Sequence, residues 1–215
     1  MRMSKGDTLV MIGDSITDAG RARPGINPAG GPFGNGYVNM VASHLRAAYP
    51  AHLIRVVNQG IGGHTVRDLK DRWQTDVLDL KPDWLSVMIG INDVWRQFDS
   101  PTNPQCHVYL DEYRSTLDEL VAQTASQVRN IVLMTPYFIE PNKKDPMRVQ
   151  MDRYSQTVKA IAKKYRTLFV DTQAVFDRVL KIRHPYYISG DRIHPNQTGH
   201  LLLAKSFLDA VEFTW

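Results

Sequence analysis

A short run of apolar and β-favouring residues, Thr8-Leu9-Val10-Met11-Ile12, leads directly into Gly13-Asp14-Ser15. An apolar run without polar alternation is typical of a strand that is buried on both faces, as strands are in parallel sheets. The glycine and the two polar residues that follow end the strand and predict a turn or the start of a helix. The sequence therefore predicts a buried strand with a serine hydroxyl just beyond its carboxyl end.

The same alternation of a short apolar run and a segment of helical period continues along the chain. The predicted strands are Thr8–Ile12, Leu53–Asn58, Trp84–Ile89, Asn130–Thr135 and Thr167–Asp171. The predicted helices are Tyr37–Tyr49, Val66–Leu80, Val108–Gln123, Met147–Tyr165, Gln173–Lys181 and Gln197–Val211. Such alternation predicts an α/β fold, namely a three-layer α/β/α sandwich with a five-stranded parallel sheet of flavodoxin-like kind.

Length and composition restrict the class of protein further. The chain has 215 residues, of which 43% are hydrophobic, so we expect one domain with a sizeable core. The 26 Lys and Arg residues are scattered among 22 Asp and Glu residues, which argues against a nucleic-acid partner.

Features of membrane and secreted proteins are missing from the sequence. No apolar run approaches the ~18 residues that span a bilayer, and Leu9–Ile12 is too short for the core of a signal peptide. The one cysteine, Cys106, cannot form an internal disulfide. We therefore expect a cytoplasmic protein that does not bind membranes.

Open parallel sheets bind ligands outside the carboxyl ends of their strands. Ser15 stands at such an end, where its hydroxyl would face the crevice. Its own N–H would be free, because the first N–H groups of a helix lack intrahelical partners. This placement suits a nucleophile that also stabilises an oxyanion. The alternative is that Asp14 and Ser15 only cap a helix.

A second polar segment, Tyr187–Asn196, precedes the last predicted helix. Asp191 and His194 lie three residues apart in it, so one tight turn can bring the carboxylate against the imidazole Nδ1–H and leave Nε2 as a base. Pro195 would make the loop stiffer. The alternative is an ordinary surface pair at a helix N-terminus.

Two more strand ends offer hydrogen-bond donors. Asn58–Thr65 is rich in glycine, but Thr65 stands where the last glycine of a dinucleotide-binding GxGxxG loop should be, and the lysine of a phosphate-binding loop is missing. Gly90–Asp93 contains Asn92, whose amide can bind developing negative charge. Either segment alone could be turn chemistry. Together the four segments supply a nucleophile, a base, an orienting acid and oxyanion donors at one sheet edge.

These residues resemble the SGNH, or GDSL, superfamily of serine hydrolases. The matching blocks, in family order, are Gly13-Asp14-Ser15-Ile16 (with isoleucine for the usual leucine), Gly63, Gly90-Ile91-Asn92-Asp93 and Asp191-Arg192-Ile193-His194. The resemblance implies one SGNH hydrolase domain over residues 1–215, with neither cofactor nor metal. It also implies roles for five residues: Ser15 as nucleophile, His194 as general base and acid, Asp191 as its orienting carboxylate, and an oxyanion hole of the Ser15 and Gly63 N–H groups and the Asn92 amide.

Other segments resemble bacterial intracellular acetylxylan esterases. They are Gly20–Pro24, Thr65–Leu69, Ile89–Gln97, Met134–Pro136 and Asp145–Arg148. The resemblance implies a serine esterase that removes O-acetyl groups from acetylated xylo-oligosaccharides and related acetylated sugars through an acyl-enzyme. It also implies a homo-oligomer.

Three further features lead to expectations about substrate and assembly. The loop Gly20–Gly36 is long and rich in glycine and proline, as functional loops are, and we expect it to line the mouth of the pocket. Trp95 is a candidate platform for a sugar ring, or else a packing residue. Trp215, the last residue, is a candidate subunit contact.

Other functions stay open from the sequence. One is a metal-dependent phosphoesterase using Asp14, Asn92, Asp191 and His194, since these side chains could ligate a cation, although a dense His/Asp motif is missing. Another is a carbohydrate-binding module, which would leave the aligned serine, histidine and aspartate unexplained. An esterase, lipase or thioesterase for other short-chain acyl esters is also possible. Cys106 is not expected to be a nucleophile, because no base is evident beside it.

Overall fold

The computed structural model describes residues 1–23 and 31–215. Within them a single sheet contains five parallel strands in the order β2-β1-β3-β4-β5. The strands are β1 Thr8–Gly13, β2 Arg55–Gly60, β3 Trp84–Met88, β4 Asn130–Met134 and β5 Leu168–Val170. The predicted five-stranded parallel α/β fold is confirmed.

Helices occupy most of the connections between the strands and much of the chain after β5. They are α1 Ser15–Asp18, α2 Tyr37–Ala48, α3 Val66–Trp73, α4 Ile91–Asp99, α5 Leu110–Ala125, α6 Pro146–Tyr165, α7 Thr172–Leu180 and α8 Gln197–Ala210. Helices α2, α7 and α8 pack together, as do α3, α5 and α6. Right-handed crossovers put these two groups on opposite faces of the sheet, which gives the predicted three layers.

Two predicted boundaries were wrong and one helix was not predicted, each for a local reason. Strand β2 begins at Arg55 because Leu53 has a left-handed backbone (φ 52°) and is exposed, so the strand cannot start there. The helix predicted to reach Leu80 is α-helical only to Trp73 and continues as a π-turn over Gln74–Leu78. Helix α4 was not predicted at all, since its first turn holds Asn92 and Asp93, which are weak helix formers.

The core lies on both faces of the central strands. Residues Leu9 to Ile12 of β1 have no solvent exposure, and all five residues of β3 are buried. Gly13 lets these two strands approach at their carboxyl ends, because a Cβ there would lie only 2.3 Å from the Met88 carbonyl oxygen. The strand ends that precede Ser15 and Asn92 are therefore held side by side.

The loop Gly20–Gly36 falls partly on residues 24–30, outside the described residues, so its role as a pocket mouth stays a prediction.

Among the described residues, no helix combines the length and the apolar character needed to cross a bilayer.

His200 of α8 makes the stability of the fold depend on pH. It is buried, and its Nδ1 accepts a hydrogen bond from the Tyr37 N–H at 3.2 Å, so its ring is neutral. Burial lowers the pKa of His200 to about 4. Between pH 6.5 and pH 4 this histidine binds a proton in the unfolded chain but not in the folded chain. Acid therefore lowers the free energy of unfolding.

We expect wild type to lose about 2 kcal/mol more unfolding free energy than His200→Asn between pH 7.5 and pH 4.5. Asparagine keeps an acceptor near the Nδ1 position but does not titrate. Urea unfolding at both pH values measures the difference. Equal losses in the two proteins would contradict this account of His200.

Candidate active site

Ser15 is the first residue of α1, directly beyond β1. The residue before it, Asp14, caps this helix, because its carboxylate accepts a hydrogen bond from the Ile16 N–H at 3.0 Å. The capping interpretation is therefore correct for Asp14. The Ser15 hydroxyl is half-buried and makes a different contact.

The structure brings Ser15, His194 and Asp191 into one hydrogen-bonded chain. Ser15 Oγ lies 2.8 Å from His194 Nε2, and His194 Nδ1 lies 2.6 Å from Asp191 Oδ2. Serine and histidine are 179 positions apart in the sequence. This geometry allows the imidazole to take the hydroxyl proton while the carboxylate holds the opposite ring nitrogen.

The Asp191 carboxylate is held in place by its neighbours. Its Oδ1 accepts hydrogen bonds from Ser189 Oγ and from the N–H groups of Ile193 and His194, at 2.8 to 2.9 Å. Partial burial opposes ionisation, but the bond from the His194 ring and these other donors outweigh it and lower the pKa of Asp191 to about 2. The carboxylate therefore remains charged at every pH at which an imidazole can act as a base.

Ser189 was not identified from the sequence. Its hydroxyl orients the carboxylate, and the only sequence signal was its place two residues before Asp191 in the same polar segment. A serine in a turn-rich loop is too common to be singled out without coordinates.

Backbone donors lie beside the serine. Among the described residues, the N–H groups of Ser15 and Gly63 have no protein acceptor. Gly63 has φ +82° in a turn closed by the bond from the His64 N–H to the Ile61 carbonyl. A Cβ built on Gly62 would lie 3.8 Å from the Ser15 Cβ, so the turn borders the serine.

The side-chain donor Asn92 is buried at the start of α4. One hydrogen of its amide is donated to the His64 carbonyl at 2.9 Å, and its Oδ1 accepts from the Arg96 guanidinium at 3.4 Å. These contacts fix which side of the amide is the nitrogen and leave a second N–H available. The arrangement can offer an N–H group to a developing oxyanion.

Trp95 borders the same cleft. Its ring centroid lies 6.2 Å from that of His194 in an edge-on orientation, and the Arg96 guanidinium stacks over the Trp95 ring at 4.5 Å from its centroid. The side chain is half-buried. It is therefore neither an ordinary core residue nor a fully free platform, and its predicted contact with sugar stays a prediction.

The ligand set of the phosphoesterase alternative is not assembled. In residues 1–23 and 31–215, no group of three or more histidine, cysteine or acidic side chains could hold a metal ion. Asp14 is buried, and its Oδ1 already accepts the Ile16 N–H as the cap of α1. Cys106 lies outside the cleft residues, and its Sγ donates to the Asn103 carbonyl at 3.0 Å.

A serine, a base and an acid linked at the carboxyl edge of a parallel sheet, with free N–H groups alongside, are the parts of a serine hydrolase. The chain belongs to the GDSL-like lipase/acylhydrolase family, whose model matches residues 11–202. The predicted family is confirmed.

The particular relatives are esterases and hydrolases. The chain is 54% identical to an acetylxylan esterase of Geobacillus stearothermophilus over 215 residues, which is 100% of this chain and 98% of that protein. The crystal structure of that enzyme, Axe2, has a TM-score of 0.96 over 100% of this chain and 98% of its own. Structures described as catalytic mutants of Axe2 carry the substitutions S15A, D191A and H194A.

A second solved structure shares this similarity. LAE5, an alpha/beta hydrolase enzyme from the metagenome of Lake Arreo in Spain, is 51% identical, with a TM-score of 0.94 over 99% of this chain and 98% of its own. The fold and the family therefore rest on full-length relatives.

Proposed function

We propose that this protein is a serine esterase that removes O-acetyl groups from acetylated xylo-oligosaccharides and related acetylated sugars. The observation that carries the proposal is the hydrogen-bonded chain from Ser15 through His194 to Asp191. The sugar and acyl specificity is supported by the similarity to the Geobacillus acetylxylan esterase. The whole chain, residues 1–215, would act as one SGNH hydrolase domain.

In the proposed reaction, His194 Nε2 takes the proton of Ser15 as Oγ attacks the acetyl carbonyl carbon. The carbonyl electrons move to oxygen, and the resulting oxyanion is bound by the N–H groups of Ser15 and Gly63 and by the Asn92 amide. The tetrahedral intermediate expels the sugar alkoxide, which takes the proton from His194. Water then attacks the acetyl-serine in the same way and releases acetate.

Asn92→Ala is expected to lower kcat by about 10²- to 10³-fold, because one oxyanion donor is lost. KM for the ester should change little, since the donor acts mainly on charge that develops after binding. Hydrolysis of 4-nitrophenyl acetate measures both constants. Asn39→Ala, on α2, is a matched control, and an Asn92→Ala enzyme with wild-type kcat would contradict the assignment.

Trp95→Ala is expected to lower kcat/KM for acetylated xylobiose up to about tenfold relative to 4-nitrophenyl acetate, because a sugar loses its stacking surface. The ratio of the two values is the measurement. Phe98→Ala removes an exposed aromatic ring from the same helix and is the matched control. A ratio that changes equally in both variants would contradict a specific contact with sugar.

A substrate panel tests the function itself. It compares acetylated xylo-oligosaccharides, other sugar acetates and 4-nitrophenyl esters of rising acyl length, with a chelator and a serine-directed phosphonate as inhibitors. The proposal requires preference for acetyl groups on sugars, inhibition by the phosphonate and no loss with the chelator. Preference for longer acyl chains would favour the lipase or thioesterase alternative, and loss with the chelator would favour the phosphoesterase.

We also propose a homo-oligomer. Its support is the resemblance and an apolar surface at the C-terminus, where Trp215 is 83% exposed and its ring lies 5.7 Å from that of His44. Leu201, half exposed, and Phe213 border the same groove. Light scattering of wild type and Trp215→Ala after size exclusion measures the assembly.

A cytoplasmic location stays a prediction, supported by the single cysteine.

A further inference from the structure

A buried carboxyl group that the proposed mechanism does not use lies next to the oxyanion donors. Asp93, the third residue of α4, has no solvent exposure. Its Oδ1 accepts a hydrogen bond from the Val66 N–H at 3.0 Å, while among the described residues its Oδ2 has no hydrogen-bond partner. Burial of a carboxyl oxygen without a hydrogen-bond partner lowers the stability of the fold, so we expect a functional role of Asp93.

The contact of Asp93 joins two segments that are far apart in sequence. Val66 is the first residue of α3 and follows the turn that contains Gly63. The neighbouring Asn92 donates its amide to the His64 carbonyl in the same turn. Two consecutive residues of α4 therefore hold the 63–66 segment at two points. This segment carries the Gly63 N–H, and α4 carries the Asn92 amide.

The charge state of Asp93 suits this place. Burial raises its pKa to about 8, against the opposing effect of the bond from the Val66 N–H. At neutral pH the group is therefore mostly an uncharged acid. An uncharged acid accepts the hydrogen bond without placing a negative charge beside a site that must stabilise an oxyanion.

We propose that Asp93 is a positioning residue for ester hydrolysis: by accepting the hydrogen bond of the Val66 N–H, it keeps the Gly63 N–H and the Asn92 amide at the separation that the oxyanion needs. This inference rests on the proposed function. Its physical basis is that a displacement of about 1 Å at a reacting centre can cost about 10²-fold in rate.

The first test compares Asp93→Ala with Asp93→Asn using 4-nitrophenyl acetate. Alanine removes the acceptor and is expected to lower kcat about 10- to 100-fold with KM changed less than about threefold. Asparagine keeps an acceptor oxygen without charge and is expected to restore kcat to within about threefold of wild type. An Asp93→Asn enzyme as slow as Asp93→Ala would overturn the proposal.

The second test removes the same hydrogen bond from its donor side, which guards against a poorly folded Asp93→Ala. Val66 is the first helical residue after the N-cap Thr65, whose backbone is extended, and proline is favoured at that position. Val66→Pro therefore deletes the N–H within a helix start that accepts it. It is expected to lower kcat as Asp93→Ala does, and wild-type kcat in Val66→Pro would overturn the proposal.

A double mutant separates positioning from general destabilisation. If Asp93 acts through the oxyanion donors, Asp93→Ala should cost less than about threefold in kcat when Asn92→Ala is already present. A full additional loss in the double mutant would overturn the proposal.

Asp7→Asn is the matched control for a buried acid. Asp7 is 1% exposed, immediately precedes β1 and pairs with Arg129 at 2.8 Å, so it lies at the amino ends of the strands, opposite the site. Asp7→Asn should lower the stability of the protein but leave kcat per folded molecule unchanged. A wild-type protein without esterase activity would refute the proposed function, whereas an active wild type with unaffected Asp93 and Val66 variants would refute only the positioning role.

Discussion

Ser15→Ala is expected to abolish ester turnover, with kcat falling by about 10⁴-fold or more, while the protein stays folded. The substitution removes the hydroxyl oxygen that attacks the ester in the proposed mechanism. The fold should survive because the serine hydroxyl bonds to His194 alone among the described side chains, and helix α1 is capped by Asp14. Hydrolysis of 4-nitrophenyl acetate and of acetylated xylobiose measures the loss, and circular dichroism checks the fold.

Covalent labelling gives the Ser15 prediction a second readout. A fluorophosphonate should modify wild type at Ser15 and fail to modify Ser15→Ala. Ser115→Ala, which removes an exposed hydroxyl from α5, should react and turn over like wild type. Substantial turnover or labelling of the folded Ser15→Ala protein would refute the nucleophile and the mechanism with it.

Asp191→Asn is expected to lower kcat by about 10³- to 10⁴-fold, although it replaces only an oxygen by an NH₂ group. The Asn oxygen can still accept the three hydrogen bonds that Asp191 Oδ1 accepts, so the loop should keep its shape. The NH₂ group would then face His194 Nδ1, where the carboxylate now lies at 2.6 Å. The imidazole must accept there, and its proton moves to Nε2.

An imidazole protonated at Nε2 cannot take the proton of Ser15, which is the reason for the large loss. Asp191 should make no contribution to the acid side of the wild-type pH–rate profile, since the pKa of its carboxyl is about 2. Asp145→Asn is the matched control, because Asp145 is another acid whose carboxylate accepts a backbone N–H, at the start of α6. Wild-type kcat in Asp191→Asn would show that the carboxylate does not set the tautomer.

The strands and most helices could be predicted because their signals are local. The apolar runs of β1 and β3 need two buried faces, and the helical period between them needs a crossover, so a parallel sheet follows. The boundaries depended on finer features. Leu53 belongs to an apolar run but has a left-handed backbone, a conformation decided by the turn that precedes β2.

The candidate site could be predicted only as a set of residue types. Ser15 and Asn92 were identified from strand ends, Asp191 and His194 from their spacing, and Gly63 from the family resemblance. The structure brings the serine, histidine and aspartate together. Ser189 and Asp93 were not identified as parts of the site, because their partners are distant or depend on a turn whose shape no pattern reveals. Helix α4, which carries Asn92 and Asp93, was itself missed.

By itself, the sequence determined the class of fold, the family and the chemical groups available for catalysis, since periodicity and motif spacing are properties of short segments. The tertiary structure alone decided that His194 Nε2 comes within 2.8 Å of Ser15 Oγ, how Ser189 holds Asp191, and that Asp93 bonds to Val66 across two helix starts. Hydrogen bonds require atoms to meet within about 3 Å at defined angles. Residues separated by 27 to 179 positions meet that condition only after the sheet has brought its strand ends together.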